Sequence, residues 1–197
     1  MNENYLQPPL PKGVAEGIVR GMYLLQAGPA CDRPRVQLMG SGTILREVLA
    51  AADLLATDFG VDSDVWSMTS MNELRRAGLD AARWNTLHPT SESRVSYVGE
   101  CLHGRRGPAI CATDYVAAYA DQIRPFVRRR FKVLGTDGFG RSDRRAKLRH
   151  FFEVDRFFVT IAALKALADD GEIEHEVVQR AIEKYGIDPA KPNPAKV

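Results

Sequence analysis

The run Gly135-Thr136-Asp137-Gly138-Phe139-Gly140-Arg141-Ser142-Asp143 sets hydrogen-bonding side chains among turn glycines, directly after the apolar Phe131–Leu134. It reads as a strand that ends in a tight turn and feeds a helix. Open α/β sheets bind ligands at the carboxyl ends of their strands, so chemistry is sought there first. Asp137 is placed to cap a helix or to accept backbone N–H bonds. Ser142 is placed to cap the helix that starts near Arg144. Phe139 reads as an apolar plug between Gly138 and Gly140. An architectural turn at an interface outweighs direct ligand contact.

A second turn, Gly40-Ser41-Gly42, follows Val36–Met39 and precedes a helix. Helix N-termini offer free N–H groups to anions, so the turn has the outline of a phosphate cradle. Position 45 is Leu, which rules out G-x-G-x-x-G, and no Gly-Lys-Ser/Thr follows. A tight strand-to-helix turn that needs small residues is the favoured reading. The alternative function is a stand-alone module that binds an anion or nucleotide on Gly40–Gly42 and Gly135–Gly140.

Other reactive types are dispersed. Arg128-Arg129-Arg130, Arg141, Arg144, Arg145, Lys147 and Arg149 make a basic stretch, diluted by Asp137, Asp143, Glu153 and Asp155. A solvated face, or ion pairs at a subunit interface, explains it better than a polyanion site. His88, His103, His150 and His175 have no metal-ligand spacing. His150, between Arg149 and Phe151, is the histidine singled out. Cys101 and Cys111 read as buried, inert thiols. No G-x-S-x-G elbow occurs.

The elements that position these turns follow from periodicity. The chain has 197 residues, enough for one domain with a sizeable core. Val14–Gln26 has helical spacing at 14, 18, 22 and 25, weakened by Gly17 and Gly21. Strands are expected at Val36–Met39, Asp64–Thr69, Ala109–Ala112 and Phe131–Leu134. Helices are expected from Ile44 to Thr57, from a Ser70-x-x-Glu73 capping box through Leu74, at Val95–Leu102, and at Tyr115–Val127. Three more follow near Arg144–Phe152, Asp155–Ala168 and His175–Tyr185. The helix over 155–168 is apolar around most of its circumference, so it must be buried on more than one side. Alternating strands and helices predict a three-layer αβα, Rossmann-like domain with a mostly parallel sheet. Residues 1–34 are read as an extended arm and helix, 35–190 as the domain, and 191–197 as a frayed tail.

The formal charge of +2 gives no electrostatic footprint for nucleic acid. No apolar run reaches the ~18–20 residues of a membrane span. The N-terminus lacks a basic region before an apolar stretch and is not a signal peptide. Three cysteines without metal spacing suit reduced thiols, so a cytoplasmic protein is expected.

The pattern Gly-x-Asp-x-Phe-Gly-x-Ser over 135–142 resembles the signature turn of C-terminal domains in the transketolase superfamily. The fuller run Thr136–Asp143, with Leu148-Arg-His150 and Phe152-Glu-Val-Asp155, resembles the homodimeric pyruvate dehydrogenases. These are the thiamine-diphosphate components of bacterial 2-oxoacid dehydrogenase complexes. The likeness continues in Asn2-Glu-Asn-Tyr5, Gly17-Ile18, Val36–Gly42, Ser63-Asp-Val65, Arg83-Trp-Asn85, Leu87-His-Pro89 and Thr113-Asp-Tyr115.

The resemblance implies a parent enzyme that decarboxylates pyruvate on thiamine diphosphate held by Mg²⁺. It then reductively acetylates the lipoyl group of a dihydrolipoyl acetyltransferase. The family's Gly-Asp-Gly cofactor motif, with its distant Asn, is absent from this sequence, as is the domain bearing the activating glutamate. The resemblance therefore carries over no catalytic, cofactor-binding or metal residue. It implies a domain that supports the homodimer and packs on the parent's other domains, inactive alone. Gly135, Asp137, Phe139, Gly140, Ser142 and His150 are the residues expected at such an interface or in the turn that builds it.

Overall fold

A computed structural model describes residues 9–197; the expected arm over 1–8, with the Asn2–Tyr5 run, lies outside the described residues. In chain order the elements are α1 (Ala15–Arg20), β1 (Met22–Gln26), β2 (Arg35–Gly40), α2 (Leu45–Phe59) and β3 (Asp62–Met68). Then come α3 (Met71–Leu87), α4 (Tyr97–Leu102), β4 (Ala109–Ala112), α5 (Ala117–Asp121) and β5 (Phe131–Leu134). The last three are α6 (Arg145–Phe151), α7 (Arg156–Asp169) and α8 (His175–Lys184). The sheet order is β1-β3-β2-β4-β5. β2, β3, β4 and β5 are parallel, and β1 joins β3 antiparallel.

The period-2 alternation of strands sorts side chains into two cores. Val36, Leu38, Val65, Ile110 and Ala112 pack with α2, α7 and α8. Met39, Trp66, Ala109, Cys111 and Val133 pack with α3, α4 and α5. A one-residue slip would exchange the two sets, so burial on both faces pins the register. Each fully buried Leu or Ile, such as Leu38 or Ile110, contributes about 1.5–3 kcal/mol. The expected three-layer αβα architecture with a mostly parallel sheet is what the chain adopts. α7 lies in the core, with Val159, Ala163, Leu164 and Leu167 buried among α2, α8 and the sheet.

Four expected elements differ. Helical spacing over Val14–Gln26 predicts one helix, but α1 stops at Gly21, and Met22–Gln26 is an edge strand of the main sheet. Gly21 has φ +108°, and its carbonyl accepts from Thr69 N at 2.9 Å and Ser70 N at 3.0 Å. A side chain there would meet the Ser70 carbonyl oxygen at 2.5 Å. The expected arm-and-helix segment therefore shares the domain's sheet from Met22 onward.

The capping-box helix runs on to Leu87 rather than ending near Leu74, because nothing between them breaks it. Over 115–127 the helix is broken into α5 and a 3-10 turn at Arg124–Phe126, where Pro125 lacks an N–H. The tail is packed rather than frayed. Lys191 Nζ donates to Phe151 O at 2.7 Å and to Glu153 Oε1 at 2.9 Å, and Pro194 is buried.

Gly21→Ala is expected to lower stability by about 2–3 kcal/mol, combining a left-handed φ with a clash. Gly60→Ala, at φ +65° with no atom within 4 Å of an added Cβ, should cost about 1 kcal/mol. Urea denaturation of both variants checks the difference.

Candidate functional site

β2, β4 and β5 run parallel, so Gly40, Ala112 and Leu134 finish on one edge, and the loops leaving them interlock. Ser41 Oγ donates to Thr113 Oγ1 at 2.9 Å, and Thr113 Oγ1 also accepts from Tyr115 N at 3.2 Å. Thr136 N donates to the Tyr115 carbonyl at 2.9 Å, and the Thr136 hydroxyl donates to the Asp114 carbonyl. Asp137 Oδ1 accepts from Ala117 N at 3.0 Å, so Asp137 caps α5. Gly135 is required by close approach, since a Cβ would lie 2.5 Å from Ala117 N.

This edge holds a cleft of about 700 Å³. The strand-end loops contribute Thr43, Ile44, Asp114 and Thr136. The following segment contributes Gly138, Gly140, four arginines (141, 144, 145 and 149) and Asp143, with Leu148, Phe152 and Val154 as apolar lining. The Gly135–Gly140 turn and the Thr43–Ile44 pair that follows the Gly40–Gly42 turn thus open on one recess. The Gly40–Gly42 turn itself is poorly suited to an anion. The Asp114 carboxylate lies 3.6 Å from where a Gly42 Cβ would be, and 3.5 Å from Thr43 Oγ1.

Two further expectations are corrected. Ser142 does not cap α6; Asp143 Oδ1 accepts from Arg144 N at 2.6 Å, and α6 has no side-chain cap bond at its N-cap residue. Phe139 is not a plug; it is 82% exposed. His150 is placed beside the segment's anchor. Its Nδ1 lies 2.9 Å from Asp155 Oδ2, while Asp155 Oδ1 accepts from Phe157 N and Phe158 N at 3.0 and 3.1 Å. Asp155 is therefore the N-cap of α7, and His150 positions it.

The anchor that sequence reasoning missed is Glu47. It is 6% exposed on the buried face of α2. It accepts from Arg149 Nη1 at 2.9 Å, Arg156 Nε at 2.9 Å and Arg156 N at 3.1 Å. Burial alone would raise its carboxyl. The Arg156 hydrogen bonds and the charges of Arg156 and Arg149 outweigh burial and hold it below the ordinary value. The available signal was a carboxylate one turn before Ala51, next to Val48, on the apolar face.

Asp64 was missed too, on a strand position where polar residues alternate with Val65. It accepts from Gly28 N and Gln37 Nε2, both at 2.9 Å, and pairs with Arg35 and Arg105 at 3.2 and 3.3 Å. Burial pushes its carboxyl up, but these partners bring it below its ordinary value.

Two members of the basic stretch are committed within the chain. Arg129 donates to the carbonyls of Leu102 at 2.8 Å and Gly107 at 2.9 Å, and Arg130 pairs with Asp170 at 2.6 Å. Cys111 is fully buried, and burial pushes its thiol up to about 12. Cys101 is only half-buried, and Cys31 is exposed. Among the described residues no three His, Cys, Asp or Glu side chains converge to hold a metal ion. No helix of the described residues is long and apolar enough to cross a membrane.

Residues 21–155 match the family model of the transketolase-like TK C-terminal domain. The chain belongs to that family. The pyruvate dehydrogenase E1 component of Pseudomonas aeruginosa is 63% identical over 195 residues, 98% of this chain and 22% of that protein. The Escherichia coli K12 protein of the same name is 50% identical over 195 residues, again 98% and 22%. The chain thus spans about a fifth of the length of these relatives.

Among solved structures, Campylobacter jejuni transketolase is 20% identical with a TM-score of 0.51, covering 74% of this chain and 18% of that one. A Pichia stipitis transketolase complexed with sedoheptulose-7-phosphate is 17% identical with a TM-score of 0.52, covering 79% and 19%. At such identity the likeness speaks of fold alone. It matches the sheet and layers of this transketolase-like C-terminal domain.

Glu47, with its pKa held below the ordinary 4.5, contributes stability at neutral pH that is lost as pH falls below 4.5 through the lowered value. Glu47→Gln should cost about 1–3 kcal/mol at neutral pH and flatten the acid loss of stability. Urea denaturation as a function of pH checks both. In maleimide labelling of the native protein, Cys31 should react first and Cys111 only on unfolding, read by peptide mass.

Proposed function

We propose that this chain is the C-terminal domain of a pyruvate dehydrogenase E1 component. The observation that carries the reading is 63% identity to the Pseudomonas aeruginosa protein across 98% of the chain. The parent would be an oxidoreductase of a multienzyme complex. It would decarboxylate pyruvate and reductively acetylate the lipoyl group of a dihydrolipoyl acetyltransferase partner. Thiamine diphosphate and Mg²⁺ would supply the carbanion chemistry when bound. Their site would lie in the parent's other domains, a reading supported by the absence of the family's Gly-Asp-Gly motif from this sequence.

The domain's own role would be support: interdomain packing and dimerisation. Phe139, Tyr115 and Val116 are 82%, 61% and 53% exposed on the loops leaving β5 and β4. Apolar side chains gathered at one sheet edge favour association. The lock of Asp137 on α5 and the close approach at Gly135 keep that edge rigid, which lowers the entropic cost of docking. Gly140 and Ser142 extend the same surface, and His150 holds α6 against the α7 cap.

Complementation tests the proposal. The chain is mixed with a parent truncated before this domain, and pyruvate-dependent reduction of an artificial acceptor is followed. Activity should return in the mixture and be absent from each part. Phe139→Ser should weaken association of the two pieces about tenfold, as expected for an exposed aromatic anchor. Association without activity would move weight to a separate role for the domain.

A further inference from the structure

The stretch between β5 and α7 has little of its own to hold it in place. Residues 138–144 are all exposed. α6 has seven residues, none of them buried, and no side-chain cap bond at its N-cap residue. A helix that short does not persist in water without tertiary contacts. Arg149 supplies one tie, to Glu47 on α2. Residues 186–197 supply another.

Those residues are built as a strap. Short turns at Asp188 and Asn193 preform it: Asp188 Oδ1 accepts from Ala190 N at 2.8 Å, and Asn193 Oδ1 accepts from Ala195 N at 2.9 Å. Pro189, Pro192 and Pro194 fix φ along it, which lowers the entropy lost when it docks. The strap meets the stretch at the end of α6 and at the glycine turn. Lys191 Nζ donates to Phe151 O at 2.7 Å and to Glu153 Oε1 at 2.9 Å. The same ammonium lies 5.2 Å from the centre of the Phe151 ring, which Arg141 also covers at 4.2 Å. The Pro194 carbonyl seats against Gly138, where an added Cβ would collide with it.

The end of α6 carries the mark of this contact. Val154 N donates to Arg149 O at 2.9 Å and Glu153 N to His150 O at 3.2 Å, which closes the helix in a Schellman motif. Glu153 holds the motif's left-handed position at φ +60°, and no other non-glycine among the described residues has a positive φ. Glycine takes that conformation freely, whereas a glutamate is strained in it. What the glutamate adds is the carboxylate that pairs with Lys191. The Lys191 side chain is largely buried, where a charge-assisted hydrogen bond is strong.

We propose that residues 186–197 are a latch on the carboxyl edge of the domain. Lys191 is its pin, and Glu153 and Gly138 are its seats. Opening the latch frees residues 136–152 while the sheet stays folded. That the surface around Phe139 is then lost to a partner rests on the packing role proposed above; the latch itself does not.

Hydrogen–deuterium exchange of the 197-residue chain, read by peptide mass, tests this. In Lys191→Met, which keeps an apolar stem, peptides over 136–152 should exchange at least about tenfold faster, with β2, β3 and β4 unchanged. Deletion of residues 189–197 should do the same. Glu153→Gly removes strain and pin together. It should speed exchange over 136–152 in the native background and slow it in the Lys191→Met background, where only the strain is left to lose.

Unchanged exchange over 136–152 in Lys191→Met overturns the proposal. So does acceleration spread evenly over the sheet, which marks a global loss of stability, or a Glu153→Gly variant that exchanges more slowly than the native chain. The measurement needs neither the parent protein nor pyruvate turnover. Failed complementation would therefore leave the latch standing, and a failed latch would leave the dehydrogenase reading standing.

Discussion

A single buried carboxylate organises the upper edge of this domain. Glu47 projects from α2 with 6% of its surface exposed, where an unpaired charge would be costly. Its partners, Arg149 and Arg156, come from α6 and α7, more than a hundred residues later in the chain. The pairing ties the segment that follows β5 to the helix that follows β2. Removing one member of such a cluster strands the others, which is why it constrains more than it stabilises. The α7 cap at Asp155 and the placement of His150 both sit within reach of that tie.

The strand-end loops form a second layer of constraint. Ser41 bonds Thr113, Thr136 bonds the Asp114 and Tyr115 carbonyls, and Asp137 accepts from the first N–H of α5, so the three loops are tied to one another. Rigid loops on a parallel sheet are the usual support for binding. Here the surface combines exposed apolar groups with an arginine-lined recess.

Much of the fold could be read from the sequence. Val36–Met39, Ala109–Ala112 and Phe131–Leu134 are short apolar runs with flanking turns, and each is a strand close to where periodicity put it. The apolar circumference of 155–168 could be satisfied only by burial, and α7 is buried accordingly. The segment Val14–Gln26 was misread because positions 14, 18, 22 and 25 fit a helix as well as a helix followed by a strand. Only the open hydrogen-bonding edge of β3 and the left-handed Gly21 choose between them. Phe139 and Ser142 were misassigned because a turn's sequence does not say which side chain points to solvent.

The sequence by itself determined the class of domain, its family likeness, and the two glycine turns at strand ends. Those depend on local propensity and on side-chain period, which act over a few residues. Tertiary structure decided that Thr43 and Ile44 share one cleft with the Gly138–Gly140 turn, that Asp114 stands beside Gly42, and that Glu47 takes Arg149 and Arg156 as partners. Each of these depends on residues separated by tens to a hundred positions. Such charges are brought together by sheet order and helix packing, and a linear pattern carries no record of that encounter.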